Sequence, residues 1–233
     1  MNEIKLTYLE KIIHEMNGQV NTIYVLSDIL SQEGSLLSKI NNHENLKLIC
    51  DASQKLAKMI GLLSSITNLK SNKINIQLEE LDLVNLVEKE VSYYSVRTKI
   101  TPGLKIDFSS KILNCQVKID EFWFKQLLGN LITNAVNHCD KGLIQVRTDI
   151  FTKNGVNYFR LYVCDEGCGI SEHELETIFL PLERGSHSVG KVPGSGIGLA
   201  IAKEVAEAHG GSIVAKNNAK VGATFEVNIP LNK

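Results

Sequence analysis

"LLGNLITNAVNHC", residues 127–139, decides how the rest of the chain is read. Leu127, Leu128, Leu131, Ile132, Ala135 and Val136 recur as on a helix pressed against a core, while Asn130, Asn134 and Asn137 fall at i, i+4 and i+7 on one face. Three amides in a row on an otherwise apolar helix need partners. Working outward, the helix is predicted over "EFWFKQLLGNLITNAVNH" (121–138) and a second over "GIGLAIAKEVAEAHG" (196–210), stopped by Gly210 and Gly211. "LIQVRTDI" (143–150), "NYFRLYVC" (157–164) and "ATFEVNI" (223–229) alternate and are rich in β-branched or aromatic residues, so they read as strands. Strands mixed with helices predict an α/β sandwich with one mixed sheet.

The N-terminal third has a different texture. From Leu9 an apolar heptad runs through Ile12, Met16, Ile23, Leu26 and Leu30, broken at Gln19; a second runs through Ile49, Ala52, Leu56, Met59, Leu63 and Ile66. The polar stretch between them predicts a helical hairpin, and seams this long predict dimerisation into a four-helix bundle. The fold class is therefore α+β: an N-terminal helical hairpin over 1–72, and an α/β sandwich over 73–233 after the polar linker "LKSNKIN" at 69–75.

Composition narrows the function. The net charge of −1 provides no field for nucleic acid or an anionic membrane. The sequence holds no membrane segment and its start lacks the layout of a secretion signal, so the chain is expected to be cytoplasmic, or the cytoplasmic part of a larger protein. Five cysteines at irregular spacings predict neither a disulfide framework nor a zinc site.

Two glycine-rich segments carry the chemistry. "VCDEGCGI" (163–170) follows a strand with Asp165, Gly167 and Gly169, an arrangement that presents one carboxylate while the glycines let a flat ligand approach the backbone. Farther on, Gly194, Gly196 and Gly198 precede a helix, where backbone N–H groups and the positive helix end can meet phosphates. A dinucleotide fingerprint fails there because positions 199 and 201 are Leu and Ile. "GSHSVGKV" (185–192) fails as a P-loop, because Val192 replaces the metal-binding hydroxyl and Pro193 interrupts the helix.

The ordered set N-x-x-x-N-A (Asn130, Asn134, Ala135), D-x-G-x-G-I (Asp165 to Ile170), "IFLPLERG" (178–185), G-x-G-I-G-L (Gly194 to Leu199) and G-A-T-F (Gly222 to Phe225) resembles the catalytic domain of sensor histidine kinases, over roughly 75 to 233. The resemblance implies ATP and Mg²⁺ as ligands. Asn134 would coordinate the metal between the phosphates, a hard oxygen ligand suited to an ion that keeps most of its waters. Asp165 would accept from the adenine amino group, with Gly167, Gly169 and Ile170 flooring the pocket and Thr224 approaching the base. Gly194, Gly196, Ile197, Gly198 and the N–H of Leu199 would lie along the phosphates, and Asn130, Asn137 and His138 complete the site along the helix. Residues 183–195 would form a lid, anchored by Phe179, with Arg184 and Lys191 as phosphate contacts. The sequence departs from the family with Asn137 in place of a Lys or Arg, His138 in place of an aromatic and Leu182 in place of a second Phe.

The same family pairs this domain with a dimeric hairpin whose first helix bears H-E-x-x-x-P-L. "HEMNGQV" (14–20) supplies His14 as phosphoacceptor and Glu15 as its acid–base partner, with His14 at heptad position f, facing away from the seam. Gln19 replaces the helix-bending proline and Gly18 the residue that positions water, which predicts a straighter helix and weak or absent phosphatase activity. "HELE" at 173–176 imitates the motif, but has no seam around it and is read as surface. The implied reaction is ATP-dependent autophosphorylation of histidine in a homodimer, then transfer to an aspartate on a separate response regulator. The competing reading is a non-catalytic phosphotransfer or scaffold protein with a degenerate ATP domain, against which the intact glycine segments argue. A hydrolytic clamp is disfavoured because Asn130 occupies the place where such ATPases carry their glutamate.

Overall fold

The computed structural model describes residues 2–31, 45–46, 48–50, 52–53, 56, 76–98, 103–180, 183, 185, 196 and 198–231, and of 2–12, 14, 15, 31, 97 and 98 the backbone only. The chain divides into two compact units, Met1–Ile74 and Asn75–Lys233.

In the first unit α1 spans Asn2–Ser31 without interruption at Gly18 or Gln19. Its half-buried positions are Met16, Gln19, Ile23, Leu26 and Leu30, the heptad seam with the glutamine inside it. The Thr22 hydroxyl donates to the Gly18 carbonyl at 2.9 Å, tying down the turn that the glycine loosens. A second helical stretch, α2, is described at 45–46, 48–50, 52–53 and 56, where Ala52 is buried and Ile49 and Leu56 are half-buried at the seam spacing. The connection at 32–44, Met59, Leu63, Ile66 and the linker at 69–75 lie outside the described residues, so of the hairpin these two segments are what is seen.

In the second unit the order is β1 (Glu79–Asp82), α3 (Leu83–Thr98), β2 (Leu104–Ser110), β3 (Gln116–Ile119), α4 (Glu121–His138), β4 (Gly142–Lys153), β5 (Val156–Cys164), two 3₁₀ turns (Glu172–Glu174 and Thr177–Phe179), α5 (Gly198–Ala208), β6 (Ser212–Asn217) and β7 (Ala223–Pro230). One mixed sheet of five strands runs β2-β4-β5-β7-β6, with β2 parallel to β4 and the other pairs antiparallel. β1 and β3 form a separate antiparallel pair. The tight β4–β5 hairpin is made by Asn154 and Gly155 at φ 52° and 77°, the left-handed pair that matches strand twist.

Alternation puts one face of each strand into the core. Val146, Val163 and Phe225 stand opposite one another across β4, β5 and β7, as do Thr148, Leu161 and Val227, and all six are buried under the helices. The other face is polar: Arg147, Arg160 and Lys216 surround the Tyr162 ring at 5.3, 5.1 and 5.6 Å, and Arg160 grips Asp149 through two bonds of 2.8 and 3.0 Å. Among the described residues no helix is long and apolar enough to cross a membrane.

Candidate functional site

The site begins with how α4 is held. Asp120 caps it, its Oδ1 accepting the Trp123 N–H at 3.0 Å and its Oδ2 the Gln77 N–H at 2.7 Å. The Asp120 N–H donates to His209 Nε2 at 3.1 Å, and His209 Nδ1 lies 2.8 Å from the Val205 carbonyl, so the buried ring carries its proton on Nδ1. That imidazole ties the start of α4 to the end of α5. At the opposite end of α5, a side chain on Gly198 would stand 3.6 Å from Cγ and Oδ1 of Asn130, so the two helices run antiparallel and the asparagine stripe passes the α5 N-terminus. Along the stripe burial falls steadily: Asn130 is buried, Asn134 half-buried and Asn137 exposed. The middle amide is thus the one both sheltered by the fold and open to a ligand.

Asp165 lies just past the end of β5 and is 4% exposed. Its Oδ1 accepts the Gly167 N–H at 2.9 Å and the Ala223 N–H at 3.2 Å. Burial raises its pKa above the ordinary carboxylate value, opposed by those two N–H groups and by the charge of His138. Both donors meet one oxygen, so the pair orients the carboxylate as well as partly offsetting its desolvation.

Close approach explains the glycines. A side chain on Gly167 would run into the His138 carbonyl and stand 2.9 Å from Asp165 Oδ1, so the loop presses against the C-terminus of α4 only as glycine. Gly222, at φ 80°, is closed off by the Asp165 backbone in the same way. Gly169 and Gly196 also take positive φ, 73° and 69°. At Gly167, Gly169 and Gly222 a Cβ would meet the protein's own atoms, so these glycines let the Asp165 loop close against the end of α4 and the β6–β7 turn, which leaves a carboxylate, an amide stripe and a helix N-terminus on neighbouring segments. That donor set fits a purine with an exocyclic amine followed by phosphates, and the half-buried Asn134 would offer a hard amide oxygen to a magnesium ion.

Other expected residues are placed as follows. Phe179 is buried with its ring edge-on to Phe225 at 6.2 Å, four residues ahead of the lid expected over 183–195. The Thr224 hydroxyl, buried, donates to Asn218 Oδ1 at 2.6 Å. Leu199 is half-buried in the first turn of α5, and His173 sits exposed on a 3₁₀ turn. Arg184, Lys191, Gly194 and Ile197 lie outside the described residues, as do the side chains of His14 and Glu15, whose backbone is part of α1.

Three residues escaped the sequence reading. Glu166 Oε2 accepts the Leu143 N–H at 2.9 Å and holds the start of β4 beside the loop. Asn217 and Asn218 bind the loop from the end of β6, which was not read as a strand. Their only signal was an amide pair shortly before G-A-T-F.

Residues 119–233 match the family model described as "Histidine kinase-, DNA gyrase B-, and HSP90-like ATPase". Among curated relatives, the autoinducer 2 sensor kinase/phosphatase LuxQ of Vibrio vulnificus strain YJ016 is 28% identical over 233 residues, covering 97% of this chain; the chain spans 26% of that protein's length. Among solved structures, full-length ShkA in complex with AMPPNP superposes with a TM-score of 0.68 at 20% identity, covering 99% of this chain and 46% of that one. Histidine kinase ThkA in complex with the response regulator protein TrrA gives 0.61 at 20% identity, covering 97% and 61%. These two share the fold. Residues 119–233 are thus a domain of the histidine kinase-, DNA gyrase B- and HSP90-like ATPase family, and the curated relatives of the chain include sensor histidine kinases.

Proposed function

We propose that this chain is the catalytic core of a sensor histidine kinase, with a dimerisation and phosphoacceptor domain over 1–72 and an ATP-binding domain over 73–233. The observation that carries the reading is the buried Asp165 carboxylate, pinned through Oδ1 by two backbone N–H groups beside the close-packed Gly167 and Gly222, at the C-terminal end of the asparagine helix. The carboxylate accepts from the adenine amino group, Gly167, Gly169 and Ile170 floor the pocket, and Gly196, Gly198 and Leu199 present N–H groups at the start of α5 to the phosphates. Mg²⁺ held by Asn134 would offset the charge that grows on the departing ADP.

His14 of α1 supplies the nucleophile. One imidazole nitrogen attacks the γ-phosphorus, a P–N bond forms as the bond to the bridging oxygen of ADP breaks, and Glu15 holds or takes the proton of the other nitrogen. The phosphoramidate then passes its phosphoryl group to an aspartate of a separate response regulator, and the protein works as a cytoplasmic homodimer through its helical hairpin. Support for the partner comes from the ThkA–TrrA complex, and for the dimer from the exposed apolar residues Ile13, Val20, Tyr24, Val25 and Ile29 on α1. Incubation with γ-labelled ATP and magnesium should give an acid-labile, alkali-stable label that chelation abolishes. Label retained by His14→Gln would refute the assignment.

A further inference from the structure

We propose that Asn217 and Asn218 are positioning residues for the nucleotide, clamping the two ends of the loop that carries Asp165 and so aiming its carboxylate. The proposal rests on the ATP-binding reading above and deepens it.

At the near end of the loop, Asn218 Nδ2 donates to the Asp165 carbonyl at 2.8 Å and to the Ala223 carbonyl at 3.3 Å. Those carbonyls belong to the pair that closes the β5–β7 ladder, where the Asp165 N–H donates to the Ala223 carbonyl at 2.9 Å. Asn218 therefore braces the point at which the strands part. Its Oδ1 is fixed in turn by the Thr224 hydroxyl at 2.6 Å, which orients the amide with its donors toward the carbonyls. At the far end, Asn217 Oδ1 accepts the Ile170 N–H at 2.8 Å while its Nδ2 donates to the Ile170 carbonyl at 2.7 Å, the reciprocal pairing a neighbouring strand would offer. Gly169 makes room for that amide, since a side chain there would stand 3.0 Å from Asn217 Oδ1.

The consequence for the carboxylate is direct. The Ala223 N–H is one of two donors that hold Asp165 Oδ1, and Asn218 holds the same residue by its carbonyl. If the clamp opens, Ala223 and Asp165 separate, and a carboxylate that burial already disfavours loses a compensating donor. Asn218 is half-buried and Asn217 exposed, so water competes less for the first and its removal should matter more.

The test is a double-mutant cycle on the full chain, reading AMP-PNP affinity by calorimetry with magnesium present. Asn218→Ala is expected to weaken binding roughly tenfold and Asn217→Ala two- to threefold, on the scale of one or two lost hydrogen bonds. Added to Asp165→Asn, Asn218→Ala should cost less than about threefold further, because its effect runs through the carboxylate that is already gone. Hydrogen exchange supplies the local readout: the Ile170 amide should exchange faster in Asn217→Ala, while amides within α4 keep their protection. Should Asn218→Ala fail to fold, Asn217→Ala carries the same cycle. Affinity within twofold of the parent for both variants, or losses that multiply fully with Asp165→Asn, would overturn the clamp while leaving ATP binding standing. A parent chain that binds no AMP-PNP would sink the functional reading itself, and the clamp with it.

Discussion

Replacing Asp165 by Asn separates recognition from folding. In the parent, Oδ1 is committed to the Gly167 and Ala223 N–H groups at 2.9 and 3.2 Å. An amide oxygen can keep those two bonds, but then its NH₂ faces the adenine amino group and two donors meet. Turned the other way, the amide offers its oxygen to the base and sets its NH₂ against two backbone donors. Either orientation leaves one side mismatched. A hydrogen bond to a charged acceptor contributes about 1.5–3 kcal/mol, so ATP affinity should fall roughly 10- to 150-fold. Stability should move the other way or not at all, because the parent carboxylate is held above its ordinary pKa by burial and the neutral amide is easier to desolvate. Calorimetry with AMP-PNP measures the first and thermal unfolding of the apoprotein the second. Affinity retained within threefold would refute the assignment of Asp165 to the base. Loss of affinity accompanied by a large drop in unfolding temperature would show instead that the residue is mainly structural.

The raised Asp165 pKa also predicts the pH profile of binding. On the proposed contact with the adenine amino group the ionised carboxylate is the stronger acceptor, so affinity should fall as pH drops through the folded-state pKa, beginning above the ordinary value of 3.8. The same shift means that this group favours folding at low pH, a contribution lost as pH rises through the folded pKa; an acid limb centred at or below 3.8 contradicts the account. Gly155 and Gly222 share a positive φ of 77° and 80°, but nothing lies within 4 Å of a Cβ at the first, whereas the second is closed by the Asp165 backbone. Gly155→Ala should therefore cost about 1 kcal/mol in denaturant unfolding and leave ATP binding intact, while Gly222→Ala should cost several-fold more and abolish binding; equal effects would show that φ alone matters. Burial pushes the Cys115 thiol up to about 11, and Cys139 is raised for the same reason. Iodoacetamide at pH 8 should label the exposed Cys50 and Cys168 first and reach the buried pair only on unfolding, as mass mapping would reveal.

What could be read from the sequence was local in origin. The helix at 121–138 has the expected bounds because the period of its apolar residues and its Asp120 cap lie within one short segment. The strands at β4, β5 and β7 carry their own alternation, and the Asp165 glycine segment is contiguous, so the turn after β5 could be read from residue type alone. β1, β2, β3 and β6 were not legible: β1 and β3 have four residues each, and β2 finds its place as an edge strand only by pairing in parallel with β4. Nor could local pattern reveal that His209 ties α4 to α5 across 89 residues, or that Asn217 and Asn218 hold the loop across 47 and 53. The sequence by itself determined the helix over 121–138, three strands of the sheet and the turn that carries Asp165, because residue type and short-range spacing set those. Tertiary structure alone decided how the groups they carry are aimed and how firmly they are charged, because orientation and desolvation come from atoms distant in the chain and adjacent only after folding.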